Sequence, residues 1–262
     1  MTILIGLFGI VIGSFVNVVA YRLPRLESLA TPPSRCTSCN TQLKYHDNIP
    51  VISWLLLRGR CRTCHSSISS RYLIVELMSG ILFGILAGEF HLRSTIFLIA
   101  FLYLAAVTIT LALIDLDTHT LPNKILFPSY GVGAVFLGVD GVLQRDPSGI
   151  IRALLGALVL GIFYLILSLL YPGGMGMGDV KYAGLLGLFL GYLSWGELLV
   201  ATFTAFLLGG LFAVALLMLR KGNLKSGIPF GPWMSIGAWV GIVLGTNLLH
   251  HYYQFFGLAN RV

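Results

Sequence analysis

Long apolar runs separated by short polar segments dominate this chain. A helix that crosses the hydrocarbon core of a membrane needs about 20 mostly apolar residues, because each residue adds about 1.5 Å. Runs of roughly this kind cover residues 3–20, 72–88, 95–114, 125–143, 150–170, 198–219 and 228–249, and another extends from a glycine-rich segment to about 195. The pattern predicts an all-α polytopic membrane protein with about eight transmembrane helices.

Composition supports this fold class and excludes an ordinary soluble domain. Of the 262 residues, 56% are hydrophobic and only 10% are charged, whereas soluble domains carry about 25% charged residues. The first apolar run has no basic segment before it and no clear A-x-A cleavage site after it. We therefore interpret it as a retained helix and expect the lipid bilayer to surround the chain.

The distribution of basic residues predicts the topology. The net charge of +7 could suggest nucleic acid, but no basic and aromatic patch typical of such an interface stands out, so no nucleic-acid partner is expected. The loops after the first, third, fifth and seventh spans hold most of the 17 Lys and Arg residues, including Arg220, Lys221 and Lys225. The positive-inside rule places these loops in the cytoplasm and both termini outside.

The first span has features of a helix that packs closely on a neighbour. Gly6, Gly9 and Gly13 are spaced so that another helix can approach. Asn17 lies in the same apolar run and should find a partner inside the bundle. A structural hydrogen bond between helices is favoured over contact with a substrate.

All four cysteines lie in the polar segment 22–71. Cys36 and Cys39 form one C-x-x-C pair, and Cys61 and Cys64 form another. Two such pairs can hold one tetrahedral Zn²⁺ through four thiolates, which leaves no open position and makes the site structural. Two disulfides or free thiols are the alternatives, but a cytoplasmic location argues against disulfides. The sequence therefore predicts a small zinc domain.

Two acids at the ends of apolar runs supply the candidate chemistry. Asp179 follows the glycine-rich segment 173–178, and Asp115 ends the third predicted span. An acid at the edge of an apolar span is costly and is a functional hypothesis by default. The predicted topology puts both acids on the cytoplasmic side, where two carboxylates that share a proton could activate water and cleave an amide. We predict an aspartyl peptidase site.

Spacing alone leaves several alternatives open. Asp117 could replace Asp115 as the partner, and Asp179 could simply cap the sixth span. Lys181 could anchor the topology or neutralise the site. A polar packing contact is favoured over a catalytic role for Glu76.

The glycines and the helix ends suggest how the pair works. Glycine permits backbone conformations closed to other residues, so Gly176 and Gly178 are expected to let the loop flex until Asp179 reaches Asp115. Asp115 lies at the negative end of its helix dipole, and Asp179 lies at a positive end. On this hypothesis Asp179 is the ionised base and Asp115 carries the shared proton.

The chain resembles the type IV prepilin peptidases, membrane aspartyl proteases, over nearly its whole length. Residues 13–24 are similar to the family's motif G-S-F-x-N-V-x-x-Y-R-L-P, and the C-x-x-C pairs flanking N-I-P at 48–50 resemble its zinc domain. I-D at 114–115 with L-P at 121–122, G-M-G-D at 176–179 and P-F-G-P at 229–232 resemble further family elements. One such motif is weak, but all of them in this order are highly specific.

The resemblance implies that Asp115 and Asp179 are the catalytic pair. It also implies cleavage of the short basic leader of type IV prepilin or pseudopilin precursors at the cytoplasmic face of the bacterial inner membrane. Many members then methylate the new N-terminus with S-adenosylmethionine, although this sequence shows no methyl-donor fingerprint. Asn123 departs from the family pattern, in which Asp often follows Leu-Pro.

These interpretations divide the chain into a first transmembrane helix, 1–21, a cytoplasmic zinc domain, 22–71, and a transmembrane peptidase domain, 72–262. A transporter is one alternative, since transporters also combine broken helices with intramembrane acids, but no inverted repeat is apparent. A zinc-containing membrane scaffold whose acids are purely structural is the other.

Overall fold

The computed structural model describes residues 1–171, 174–219 and 229–255. Gly173, the predicted start of the last span at 228 and the basic loop of Arg220, Lys221 and Lys225 lie outside these ranges. The described helices are α1 (Thr2–Arg22), α2 (Ile52–Leu56), α3 (Ser70–Glu89), α4 (Thr95–Thr118), α5 (Asn123–Leu143), α6 (Pro147–Leu170), α7 (Met177–Leu193), α8 (Trp195–Met218) and α9 (Gly231–Phe255).

Each predicted span corresponds to one helix. Seven helices in the described ranges are long and apolar enough to cross a membrane: α1, α3, α4, α5, α6, α8 and α9. The sixth predicted span is α7, which has only 17 residues, fewer than the usual span of about 20. The prediction of an all-helical polytopic membrane protein is confirmed.

The short helix α7 is surrounded by other helices. Its residues from Tyr182 to Tyr192 are all buried, and it contacts α5, α6, α8 and α9. A helix that is apolar on every side is expected in the interior of a bundle, where its whole surface meets protein. The apolar run at 182–192 thus predicted a helix correctly, and the structure shows that this helix is enclosed by protein.

The chain forms two compact units. The first comprises residues 1–93 and 105–110, and the second comprises 94–104 and 111–262. The boundaries of these units are set by packing contacts between residues. The predicted domain boundaries at residues 22 and 72 are based on expected function instead, and they stay a prediction.

In the first unit, α1 and α3 pack at very short range. A Cβ atom added to Gly9 would lie 2.6 Å from the Phe83 Cβ, and one added to Gly13 would lie 2.8 Å from the Glu76 Cα. Real Cβ atoms need more room than this, so glycine is required for the two backbones to approach. The predicted close packing of the first span is confirmed.

Asn17 makes the hydrogen bond that was predicted between helices. Its side chain is 7% exposed, and its Nδ2 donates to the Tyr72 carbonyl oxygen over 3.3 Å. This bond links α1 to the first turn of α3.

In the second unit, α6 and α7 also pack through glycines. A Cβ atom added to Gly156 would lie 2.4 Å from the Gly187 carbonyl oxygen, and one added to Gly187 would lie 2.3 Å from that of Gly156. The backbones are in direct contact, which is typical of helices that associate through small residues in membranes. This contact fixes α7, the helix that carries Asp179.

Asp140 is a buried acid that the sequence analysis did not single out. It lies near the end of α5 and is 3% exposed. Its carboxylate accepts hydrogen bonds from the Tyr192 hydroxyl, over 2.7 Å, and from the Ser94 hydroxyl. Since buried polar groups are costly unless they are hydrogen-bonded, this cluster stabilises the junction of α4, α5 and α7.

Candidate active site and four-cysteine cluster

The two C-x-x-C pairs form matching turns. The Cys36 N–H donates to the Thr41 carbonyl oxygen over 3.0 Å, and the Cys61 N–H donates to the Ser66 carbonyl oxygen over 2.9 Å. In each turn the residue after the second cysteine has a left-handed backbone, with φ of 55° at Asn40 and 57° at His65. The repeated geometry aims the four sulfur atoms at one point.

The four sulfur atoms fit a single metal ion. All four cysteines are free thiols, and their Sγ atoms lie within 4.8 Å of one another. The Cys36 and Cys64 sulfurs are 3.8 Å apart, and those of Cys39 and Cys61 are 4.0 Å apart. A tetrahedral Zn²⁺ with bonds of about 2.3 Å separates its sulfur ligands by about 3.8 Å. The disulfide alternative is therefore wrong.

One cysteine is also electrostatically suited to bind a cation. Backbone N–H groups of Cys39 and Ser38 lower the pKa of the Cys36 thiol to about 6. The thiolate is the form that ligates metals. The donor set can therefore hold a soft or borderline metal ion.

Asp115 lies in the last turn of α4 and is 4% exposed. Its Oδ2 accepts a hydrogen bond of 2.9 Å from the backbone N–H of Gly231, the first residue of α9. A Cβ atom added to Gly231 would lie only 2.8 Å from that same Oδ2. The P-F-G-P segment thus has a direct physical role, because Gly231 is both the donor and the residue small enough to approach the carboxylate.

Asp179 is the third residue of α7. Its Oδ2 accepts a hydrogen bond of 3.0 Å from the Gly176 backbone N–H, just before the helix. The capping role considered for Asp179 is therefore present in the structure. Capping does not exclude chemistry, because a carboxylate has two oxygens and several acceptor positions.

Asp115 and Asp179 lie in the same unit, and a chain of contacts links them. The Asp115 carboxylate bonds to Gly231, the Gly231 carbonyl oxygen accepts from Ser235, and Ser235 bonds to Tyr182, about one turn after Asp179 in α7. Asp117 is exposed on the outer side of the same turn of α4. Asp115 is buried and Asp117 is exposed, so the two alternatives differ in environment. The role of Asp115 and Asp179 as the catalytic pair stays a prediction.

The structure changes one electrostatic assumption about this pair. Asp115 lies near the negative end of α4, as predicted, but it also accepts a hydrogen bond at the positive N-terminus of α9. Both carboxylates therefore lie at helix N-termini, where negative charge is stabilised. The helix dipoles therefore no longer indicate which of the two acids is protonated. The assignment of the shared proton to Asp115 stays a prediction, and the helix-dipole argument no longer supports it.

Two buried tyrosines border the acids, and the sequence analysis missed both. Tyr164 is 1% exposed and Tyr182 is fully buried. The Tyr182 hydroxyl is 2.7 Å from the Ser235 Oγ, which donates to the Gly231 carbonyl oxygen over 2.9 Å. A hydroxyl inside an otherwise apolar run was the available signal, since such a group requires a partner.

The described glycines of the glycine-rich segment have ordinary backbone angles. Among the described residues, the positive-φ glycine is Gly59, so Gly174, Gly176 and Gly178 have ordinary backbone angles. A Cβ atom added to Gly178 would lie 3.1 Å from the Leu121 Cβ, whereas one at Gly176 would make only ordinary contacts. At Gly178 close packing explains the glycine, and the predicted flexing of the loop stays a prediction.

Lys181 contacts the residue at which the chain departs from the family pattern. Its Nζ donates to the Asn123 Oδ1 over 3.1 Å and lies 5.5 Å from the centre of the Phe127 ring. These contacts tie the first turn of α7 to the first turn of α5. They favour a structural role for Lys181.

Glu76 belongs to the other unit, where it makes the packing contact that was favoured for it. Its Oε2 accepts a hydrogen bond of 2.7 Å from the Val51 backbone N–H.

Comparison with known proteins agrees with these features. Residues 7–90 match the family model for the bacterial peptidase A24 N-terminal domain, and residues 102–214 match that for the type IV leader peptidase family. No solved structure matches the chain.

Several curated proteins are similar along nearly their whole length. A prepilin leader peptidase/N-methyltransferase of Aeromonas salmonicida is 34% identical, over 95% of this chain and 92% of its own. Proteins of the same name from Pseudomonas aeruginosa and Neisseria gonorrhoeae are 30% and 33% identical, over 96% and 90% of this chain and 93% and 88% of their own. The order of the motifs, the paired acids and these relatives agree, and the chain belongs to the type IV leader peptidase family.

Proposed function

We propose that this protein is an aspartyl endopeptidase that removes the leader from type IV prepilin or pseudopilin precursors. The observation that carries the proposal is the proximity of Asp115 and Asp179 in one unit, each held at a helix N-terminus by a backbone N–H. The relatives are named for this activity. The family membership favours a peptidase over the transporter and the scaffold.

In this mechanism the two carboxylates act as a pair. Two acids in close proximity cannot both ionise cheaply, so one proton is shared between them. The ionised carboxylate takes a proton from the attacking water, and the protonated one donates to the leaving amide nitrogen. The N–H groups of Gly231 and Gly176 orient the two carboxylates for this exchange.

The predicted topology defines the substrate's approach. We infer that the acids and the four-cysteine segment face the cytoplasm of a bacterial inner membrane, with both termini outside. A precursor's apolar helix then stays in the lipid, while its basic leader stays at the cytoplasmic surface, where anionic lipids attract it. The resemblance to the prepilin peptidases also implies that a glycine precedes the cleaved bond. A glycine is easily unwound, as a protease requires.

The four cysteines are proposed to hold a structural Zn²⁺. The ligands Cys36, Cys39, Cys61 and Cys64 would complete a tetrahedral shell, which leaves no position for a catalytic water. When bound, the ion would cross-link the two C-x-x-C turns and would take no part in cleavage of the peptide bond.

Methylation of the new N-terminus is the second proposed activity. It is supported by the names of the relatives, which combine leader peptidase with N-methyltransferase. S-adenosylmethionine would supply the methyl group.

Co-expression with a pilin-type precursor tests the proposal. We expect Asp115→Asn and Asp179→Asn each to abolish the mobility shift of the precursor, whereas Asp117→Asn, an identical change on the exposed side of α4, retains cleavage. Mass spectrometry of the product's N-terminus then measures methylation. Full processing by either of the first two variants would contradict the peptidase mechanism.

A further inference from the structure

The short helix α2 has an exposed apolar face. Ile52, Leu55 and Leu56 are 54%, 56% and 77% exposed, and their i, i+3, i+4 spacing puts them on one side of the helix. The other side is packed against the protein, because Ser53 is buried and its Oγ donates to the His46 carbonyl oxygen over 2.7 Å. The orientation of α2 is therefore fixed, with its apolar side chains directed outward.

The start of α2 is held against the side of two long helices. The backbone N–H of Val51 donates to the Glu76 carboxylate over 2.7 Å. Glu76 lies in the second turn of α3, which begins at Ser70, and a Cβ atom added to Gly13 would lie 2.8 Å from its Cα. Gly13 is more than two turns before the end of α1 at Arg22. With a pitch of about 5.4 Å, this anchor lies roughly 5–10 Å inside the ends of α1 and α3.

This depth is the one at which interfacial helices lie in a bilayer. α1 and α3 are both long and apolar enough to cross a membrane. Interfacial amphipathic helices bury their apolar side chains about 5–10 Å into the boundary between headgroups and acyl chains. A helix at the level of the Val51 anchor would therefore meet lipid through its exposed apolar face.

A pocket of about 490 Å³ lies at the end of α2, and we call it the arginine pocket. Its lining includes Leu56, Leu57, Arg58, Arg60 and Arg62. No acidic residue is among the described residues that line it. The arginine pocket thus combines positive charge with the end of the apolar face, as an anionic amphiphile requires.

The turn after α2 brings two available charges to this pocket. Arg58 and Gly59 have left-handed backbones, with φ of 50° and 66°, so the chain reverses directly after the helix and Arg60 returns beside it. Arg62 is paired with Asp47 over 2.7 Å. Within the described part of the chain, Arg58 and Arg60 are exposed and form no ion pair. These two arginines can therefore bind an anion.

We propose that α2 lies in the cytoplasmic leaflet of the membrane and that the arginine pocket binds the headgroup of an anionic phospholipid. Arg58 and Arg60 donate to the lipid phosphate, since the planar guanidinium group matches two phosphate oxygens. The apolar face of α2 contacts the acyl chains. The basic leader of a precursor is a poor occupant, because the arginines would repel it. The choice of leaflet rests on the proposed topology, whereas the binding of lipid does not.

Photo-cross-linking of the full chain in nanodiscs tests this site. The discs consist of phosphatidylcholine with a small fraction of phosphatidylglycerol that carries a photoreactive group on an acyl chain. Mass spectrometry should find label within residues 52–60 as well as on the long helices, which serve as the internal reference. Unlabelled phosphatidylglycerol added to the discs should reduce the label at 52–60 relative to this reference, whereas inorganic phosphate should not.

Each other outcome overturns the proposal. Absence of label from residues 52–60 would show that α2 does not reach the lipid. Label that phosphatidylglycerol reduces no more than phosphatidylcholine does would show that the pocket does not select an anionic headgroup. Reduction by inorganic phosphate would identify a site for a free anion. Because lipid contact is measured, the result is independent of whether a precursor is cleaved.

Two arginines in equivalent positions provide a matched pair of variants. Arg60 directly precedes Cys61, and Arg35 directly precedes Cys36, and each forms an isolated antiparallel bridge across its own C-x-x-C turn. Arg35 does not line the arginine pocket. Since one arginine near an anionic surface contributes about fivefold to binding, Arg60→Gln should lower the relative label at 52–60 by about that factor. Arg58→Gln combined with it should lower the label further, and Arg35→Gln should leave it unchanged. Equal label in all variants would refute the role of these arginines.

Discussion

The Oδ2 of Asp115 accepts a hydrogen bond from the Gly231 backbone N–H, 116 residues along the chain, over 2.9 Å. This bond places the N-terminus of α9 against the carboxylate at the end of α4. One acid of the proposed pair thus depends on the last described helix for its orientation.

Gly231→Ala should therefore lower cleavage of a pilin-type precursor by about 100-fold, because small displacements of reacting groups cost about that much. The new Cβ would lie 2.8 Å from the Asp115 Oδ2, so either the helix or the carboxylate must move. Initial rates of leader removal measure the effect. The same change at Gly138, where an added Cβ meets nothing within 4 Å, is the control. Equal rates in the two variants would count against this role of Gly231.

Tyr182 should act as a positioning residue for α9. Its hydroxyl bonds to Ser235, which in turn donates to the Gly231 carbonyl oxygen. Removing one buried hydrogen bond costs about 1 kcal/mol, so Tyr182→Phe should fold but lower kcat several-fold and displace the pH profile of cleavage.

Tyr103→Phe provides a matched comparison, because the Tyr103 hydroxyl also pairs with a serine, Ser129, over 3.0 Å. We expect it to reduce stability without a change in the pH profile. If both variants leave the profile in place, Tyr182 has only a structural role.

Removal of metal should unfold the four-cysteine segment before the helices. The sulfurs approach within 4.8 Å, and four thiolates without a cation would repel one another. Cys36→Ser or a strong chelator should lower the metal content to near zero and increase proteolysis within residues 34–69. Elemental analysis and limited proteolysis measure both effects. Wild-type protein that contains no metal and resists protease would contradict the zinc assignment.

Asp140→Asn should destabilise the second unit. The carboxylate accepts hydrogen bonds from Tyr192 and Ser94, and breaking a buried network costs about 1–3 kcal/mol. Thermal unfolding in detergent of Asp140→Asn, Tyr192→Phe and the double variant gives the coupling between the two side chains. Additive effects would show that the hydrogen bond contributes little.

The local pattern of the chain was sufficient to predict most of the architecture. Apolar runs of about 20 residues predict helices in a membrane, because an unpaired backbone is too costly in lipid. The spacing of Gly9 and Gly13 predicted close packing, and the C-x-x-C pairs predicted a cluster of four sulfurs. The positions of Asp115 and Asp179 at the edges of apolar runs made them the candidate catalytic acids, and that role stays a prediction. These properties depend on residues that are near one another in sequence.

The tertiary structure decided which groups surround the acids. Contacts across more than 50 residues join Asp115 to Gly231 and Tyr182 to Ser235, and no local periodicity encodes such pairs. The same applies to α7, whose sequence resembles any apolar span but which lies inside a ring of helices. Long-range packing determines burial and hydrogen-bond partners, so the environment of each acid became visible only after the chain was folded.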